Sequence, residues 1–139
     1  MALKRVVVTG LGALTPIGNN LEEFWKGLIE GKSGAAPITY FDTEKFKTKF
    51  ACELKGFDIS DYLDRKQQRK MDRFTQYGMV STDEAITDSG INLDKVDKTR
   101  VGVIWGSGIG GIETFLNQML EHASGDGTPR FNPFFIPKM

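Results

Sequence analysis

The sequence of 139 residues holds one cysteine and one histidine. A single thiol cannot close an internal disulfide, so nothing points to an oxidising compartment. One Cys and one His also supply neither a metal cluster nor a credible catalytic pair. Charge of one sign is not in excess: 18 basic side chains face 18 acidic ones. That balance argues against wholesale attachment to nucleic acid or to a membrane. No apolar run approaches the length of a membrane span, and the valines of MALKRVVVTG are too few for a signal-peptide core. The expectation is a cytoplasmic, soluble domain of ordinary size. One end of the chain reads oddly. Phe131, Phe134, Phe135 and Ile136 crowd FNPFFIPKM, where domain ends are usually polar. Such a run is expected to be buried, and the chain to be part of a longer protein.

What is present is organised around RVGVIWGSGIGGIETFLNQMLEHA, Arg100 to Ala123. Val101, Val103, Ile104 and Trp105 read as a short buried strand. Gly106, Gly108, Gly110 and Gly111 allow a sharp turn and close backbone approach. Ile112, Phe115, Leu116, Met119, Leu120 and Ala123 then recur at helical spacing. Strand, glycine turn and helix are half of a βαβ unit, and such folds bind ligands at strand ends.

The rest of the chain fits a layered α/β domain with a mainly parallel sheet. Lys4 to Thr9, with Val6, Val7 and Val8 continuous, predicts a strand covered on both faces. Asn20 predicts a helix cap, Leu21, Phe24, Trp25, Leu28 and Ile29 its apolar stripe, and Gly31 its left-handed end. Lys32 to Ala36 reads as a loop and Phe50 to Leu54 as an edge strand. Asp64 to Ser89 predicts one long helical region starting near Lys66 or Gln67. Its small residues Gly78, Ser81 and Ala85 allow close packing.

Several motifs are weak. Gly106-x-Gly108-x-x-Gly111 matches a dinucleotide fingerprint, but no strand with a terminal acid follows at the required distance, and Asp126 lies in a Gly/Pro loop. The run from Gly27 to Ser33 resembles a P-loop but closes a helix instead of opening one. Cys52 has Glu53 beside it, which opposes a thiolate. His122 reads as a helix-end residue. A sharper signal is Arg65, Lys66, Arg69, Lys70 and Arg73, which crowd a helix start where the helix dipole opposes cations. Lys66, Arg69, Lys70 and Arg73 fall at steps of three, one and three and are expected to share one side, with two readings open, a solvated face or a docking side for an acidic partner or phosphate.

Taken together, six blocks in order resemble the N-terminal part of the β-ketoacyl-acyl-carrier-protein synthases, most closely synthase II members: RVVVTGLGALTPIGN, FWKGLIEGKSG, FDTEKFKTKFA, RKQQRKMDRFTQYG, GSGIGG and NPFFIP. The resemblance implies a thiolase-like α/β fold, of which residues 1–139 are an incomplete first half. It implies decarboxylative Claisen condensation in fatty acid biosynthesis, with acyl and malonyl thioesters as substrates and no cofactor or metal. It implies an acyl carrier protein as partner, no nucleic acid or membrane, and a homodimer of the full-length protein. Lys66, Arg69 and Lys70 match the family's carrier-protein patch, Ile109 a residue lining the acyl pocket, and Phe134 one reaching the partner subunit's pocket. The family's catalytic cysteine and two histidines lie beyond NPFFIP, so no catalytic residue is expected here and the segment alone is expected to be inactive. Two other readings remain: a non-catalytic, carrier-docking relative like the chain-length factors, and a dinucleotide-binding domain.

Overall fold

The computed structural model describes residues 3–139. The chain divides into two compact units. The first takes in the described residues up to Phe57 together with Val80–Asn92; the second is Asp58–Met79 with Leu93–Met139.

In the first unit, helix α1 spans Leu21–Ile29 and begins as expected. The Asn20 side chain accepts from the backbone N–H of Glu23 at 2.8 Å, and Glu22 and Glu23 sit against the positive end of the helix. The helix stops at Gly31, whose φ of 64° suits a residue without a Cβ. The only ladder among the described residues pairs β1 (Ala36–Pro37) with β2 (Phe50–Ala51), antiparallel, with Ala36 opposite Ala51. Ala36 is thus a strand residue, not the end of a loop, and the edge strand expected from Phe50 to Leu54 pairs only over its first two residues. Glu53 ties this hairpin by accepting from Thr39 Oγ1 at 2.7 Å and from the Thr39 backbone N–H at 3.1 Å. The Thr39 hydroxyl, more than the neighbouring amides and Lys55, holds the Glu53 carboxyl below the usual range.

The first strand expected, Lys4 to Thr9, has no ladder partner among the described residues. Val6, Val7 and Val8 are 89%, 60% and 77% exposed. A parallel strand is held by neighbours distant in sequence, and none of the described residues supplies one. Contacts form instead at the glycines that follow. A Cβ on Gly10 would stand 2.3 Å from the carbonyl oxygen of Ala85, and one on Gly12 only 2.0 Å from that of Ser81. The backbone amides on either side are held by carboxylates of the same helix: Leu11 N–H donates to Asp88 and Ala13 N–H to Glu84, both at 2.8 Å. Glu84 also accepts from the N–H of Leu21 at 2.7 Å. The small residues Ser81 and Ala85 serve the close approach their size predicts.

Asp64 to Ser89 is two helices, not one. α2 covers Arg65–Lys70 and α3 covers Arg73–Ser89. Asp64 caps α2 with a reciprocal box: its side chain accepts from Gln67 N–H, and the Gln67 side chain accepts from Asp64 N–H. Met71 leaves the helical region at φ −123°, ψ 142°. Asp72 then restarts the chain, accepting from the Phe74 amide at 3.4 Å through its side chain and from the Gln76 amide at 3.1 Å through its carbonyl. An aspartate here competes with the continuing backbone ladder and captures a helix start. The first residues of α3 belong to the second unit and the remainder to the first.

In the second unit, α4 spans Ile112–Ser124, as its periodicity predicts, and α5 spans Phe135–Lys138. The aromatic run packs along α4 in part. Phe135 stacks on Phe115 at 6.2 Å and on Phe131 at 5.8 Å, and Asn132 N–H donates to Gln118 Oε1 at 2.6 Å. Ile136 stays 75% exposed. Residues 101–105 form no ladder, against expectation, and Ile104 is 99% exposed. Trp105 is the exception to their looseness: its indole lies where a Cβ on Gly78 would approach to 2.5 Å.

Candidate functional site

The second unit concentrates the chemistry. α2 carries Arg65, Lys66, Arg69 and Lys70, all exposed. Residues four apart on a helix share a face, so Arg65 and Arg69 form one row and Lys66 and Lys70 the next. The structure uses the rows differently. Arg65 and Arg69 border a cavity of about 540 Å³, together with Arg73, Lys138, Asp72 and Glu113. Lys70 instead places Nζ 5.9 Å from the centre of the Phe134 ring, within cation–π reach. Lys66, Arg69, Lys70 and Arg73, expected from their spacing to share one side, therefore do not: Arg69 and Arg73 line the cavity, Lys70 meets Phe134, and Arg73 opens α3 while the others lie on α2. Phe134 is the residue before α5.

The cavity floor is ordered by side chains the sequence did not single out. Asp72 is the only buried charged side chain among the described residues. It accepts the hydroxyl hydrogen of Thr114, on the first turn of α4. Beside it Arg73 pairs with Glu113 at 3.7 Å. These two links fasten the α2–α3 break to the start of α4. The signal for Asp72 was its place one residue after Met71, the carboxylate that reopens a helix at the end of a basic run.

The glycine turn leads directly into α4. Gly110 has φ 74° and donates its N–H to Ser107 Oγ at 3.2 Å. A Cβ on Gly110 would lie 2.4 Å from the Met139 carbonyl oxygen, and one on Gly111 2.2 Å from that of Lys138. The Gly111 N–H already donates to Met139 at 3.3 Å. The close approach that these glycines permit is thus taken by backbone. A pyrophosphate cradle needs those amides open, and the space there is filled. Ile109 stands in the same turn, 72% exposed.

The remaining candidates are one cysteine and one histidine. Cys52 is exposed beside β2 in the first unit. His122 belongs to the second, in the last turn of α4, with its ring 5.4 Å from Phe131 and Nδ1 buried without a hydrogen-bond partner. Among the described residues no three of His, Cys, Asp and Glu gather as metal ligands, and no helix is long and apolar enough to cross a membrane.

Comparison with known proteins places this geometry. The family model of the beta-ketoacyl synthase N-terminal domain matches residues 3–139. A 3-oxoacyl-[acyl-carrier-protein] synthase 2 of Vibrio cholerae is 45% identical over 99% of this chain and 33% of its own length. The same enzyme of Synechocystis is 43% identical over 98% of this chain and 32% of its own. Among solved structures, the ishigamide ketosynthase/chain length factor superposes with a TM-score of 0.73 at 34% identity, over 96% of this chain and 33% of that one. A ketosynthase solved with a type II polyketide acyl-carrier protein and a hexaketide gives a TM-score of 0.74 at 28% identity, over 95% of this chain and 34% of that one. The chain therefore spans about a third of the length of these relatives. Their likeness gives it the thiolase-like fold, although the ladder among the described residues has two strands only. By both sequence and structure the chain belongs to the beta-ketoacyl synthases, as their N-terminal domain.

Proposed function

We propose that this chain is the N-terminal part of a 3-oxoacyl-acyl-carrier-protein synthase of fatty acid biosynthesis, supplying carrier docking and pocket walls but no catalytic group. The observation that carries this reading is the match of the family model across all the described residues, supported by synthase 2 relatives along nearly the whole chain. In it residues 1–139 are one incomplete thiolase-like domain, and 4–9 and 101–105 are strands of its mainly parallel sheet. The exposed faces of Val6 and Ile104 support this, since such side chains gain roughly 1.5–3 kcal/mol each on full burial. The complete protein is a cytoplasmic homodimer that elongates acyl chains with malonyl thioesters. Lys66, Arg69 and Lys70 meet the acidic carrier protein, Ile109 lines the acyl pocket, and Phe134 reaches the pocket of the partner subunit. The chain-length-factor likeness keeps a second reading, a subunit that docks carriers without condensing.

The test uses the complete protein. Lys66→Glu with Arg69→Glu is expected to weaken carrier-protein binding by about tenfold or more, which is 1.4 kcal/mol, with the melting temperature unchanged. Carrier affinity that survives both reversals would refute the docking role. In the same preparation an acyl-carrier substrate is expected to leave its acyl group on a cysteine, seen as a mass increase. Carrier binding without that adduct selects the second reading. Ile109→Phe is expected to shorten the accepted acyl chain by narrowing the pocket; an unaltered product profile removes Ile109 from the pocket wall.

A further inference from the structure

We infer that the arginine row of α2 forms a binding pocket for a phosphate group, one that shares Arg69 with the docking proposal but that Lys66 and Lys70 do not line. The geometry that supports this is the split between the rows. Arg65 and Arg69 face the cavity of about 540 Å³ and are joined there by Arg73 and Lys138, whereas Lys66 and Lys70 do not line it. The local carboxylates are already committed. Glu113 takes Arg73 at 3.7 Å, and Asp72 takes the Thr114 hydroxyl and a helix start. Among the described residues no ion pair holds Arg65, Arg69 or Lys138. Arg65, Arg69, Arg73 and Lys138 against Asp72 and Glu113 thus leave the lining with an excess of positive charge, which favours entry of an anion.

The residue types narrow the anion. Guanidinium forks bind oxyanions through paired, parallel N–H bonds, and two of them with a lysine supply donors for several oxygens at once. A phosphate, with more oxygens and more charge than a carboxylate, satisfies that set best. The walls are set before any ligand arrives. Gln68 Nε2 donates to the Leu63 carbonyl at 2.6 Å, and Gln76 Nε2 donates to the carbonyls of Gln68 at 3.2 Å and Met71 at 3.3 Å. The arginines and Lys138 are the charged donors that reach inward beside them. A preorganised site loses less entropy on binding. The inference goes beyond the condensing-enzyme reading and does not depend on it.

Two probes test it at constant ionic strength: inorganic phosphate and dimethyl phosphate, each titrated calorimetrically into the protein with chloride as the balancing anion. Saturable phosphate binding in the millimolar range or tighter is expected, accompanied by a rise in melting temperature. Arg65→Gln and Arg69→Gln are each expected to weaken it about tenfold, and Lys66→Gln by less than about twofold. Both arginines are exposed, so their neutral replacements should melt like the parent without phosphate. Tighter binding of inorganic phosphate points to the free ion as ligand, and tighter binding of the diester to a phosphodiester borne by a larger partner. No saturable heat, an equal response to chloride, or an equal loss in Lys66→Gln overturns the pocket. Arg69 serves both proposals, so the residues they do not share separate them: Arg65→Gln is expected to lose phosphate and keep carrier affinity, and Lys66→Gln to do the reverse.

Discussion

Gly12→Ala is expected to destabilise the first unit by about 3 kcal/mol or more, one of the largest effects of any single methyl group in this chain. The added Cβ would lie 2.0 Å from the Ser81 carbonyl oxygen and 2.9 Å from the Ala85 nitrogen, both backbone atoms of α3. Neither can rotate aside as a side-chain tip would. The turn must lift from the helix, and the bonds that flank Gly12 go with it. The Ala13 amide on Glu84 is part-buried and leaves an unsatisfied pair behind; the Leu11 amide on Asp88 is exposed, so water replaces much of its value. Gly102→Ala is the matched control, since nothing lies within 4 Å of a Cβ built there. Denaturant unfolding should separate the two variants, with the Leu11 and Ala13 amides losing hydrogen-exchange protection in Gly12→Ala alone. Stabilities within about 0.5 kcal/mol of each other would show that the turn does not rest on α3.

Asp72→Ala is the second large effect, expected to cost about 2–4 kcal/mol. It removes the side-chain acceptor for the Phe74 amide and leaves the Thr114 hydroxyl part-buried without its partner. Asp72→Asn keeps an oxygen for the Phe74 amide and offers an amide N–H to the Thr114 hydroxyl, which can accept it, so it should lose about half as much or less. Thr114→Val isolates the shared bond. If Asp72 and Thr114 stabilise the unit through each other, the double variant falls short of the sum of the singles by roughly 1 kcal/mol or more. Strict additivity in thermal or denaturant melts would mean that the contact contributes nothing of its own. Because Asp72 closes the basic run, its loss should also leave α2 less fixed, with faster amide exchange at Gln68 and Arg69.

Helix ends were legible in the residues themselves. Asn20 and Gly31 bound α1 within a residue or so of their expected places, and the three-and-four spacing of Ile112, Phe115, Leu116 and Met119 gave α4. The break at Met71 was not read, because apolar periodicity runs straight through Met71, Phe74 and Tyr77 while Asp72 overrides it locally. The valine run and the Arg100–Trp105 run were read as strands from composition, yet neither has a ladder partner among the described residues. At the site, the basic run was visible as a cluster of five cations, but its division into two rows was not. Arg65 and Arg69 look equivalent to Lys66 and Lys70 until the cavity and Phe134 claim different sides of the helix.

The opening glycine turn shows where the division falls. The sequence by itself determined that the backbone bends there, because glycine takes a φ such as the 74° of Gly110 without the strain other residues meet, and that a helix follows. It also determined family membership, since six ordered blocks constrain far more than any one motif. Only the tertiary structure decided what occupies the space the glycines leave, namely the carbonyls of Lys138 and Met139, and which carboxylates neutralise which cations. Caps and helical periods act within a turn or two of the chain and are written locally. The Arg73–Glu113 pair and the Thr114–Asp72 bond join residues about forty positions apart, so their identity is fixed only when packing brings those residues together.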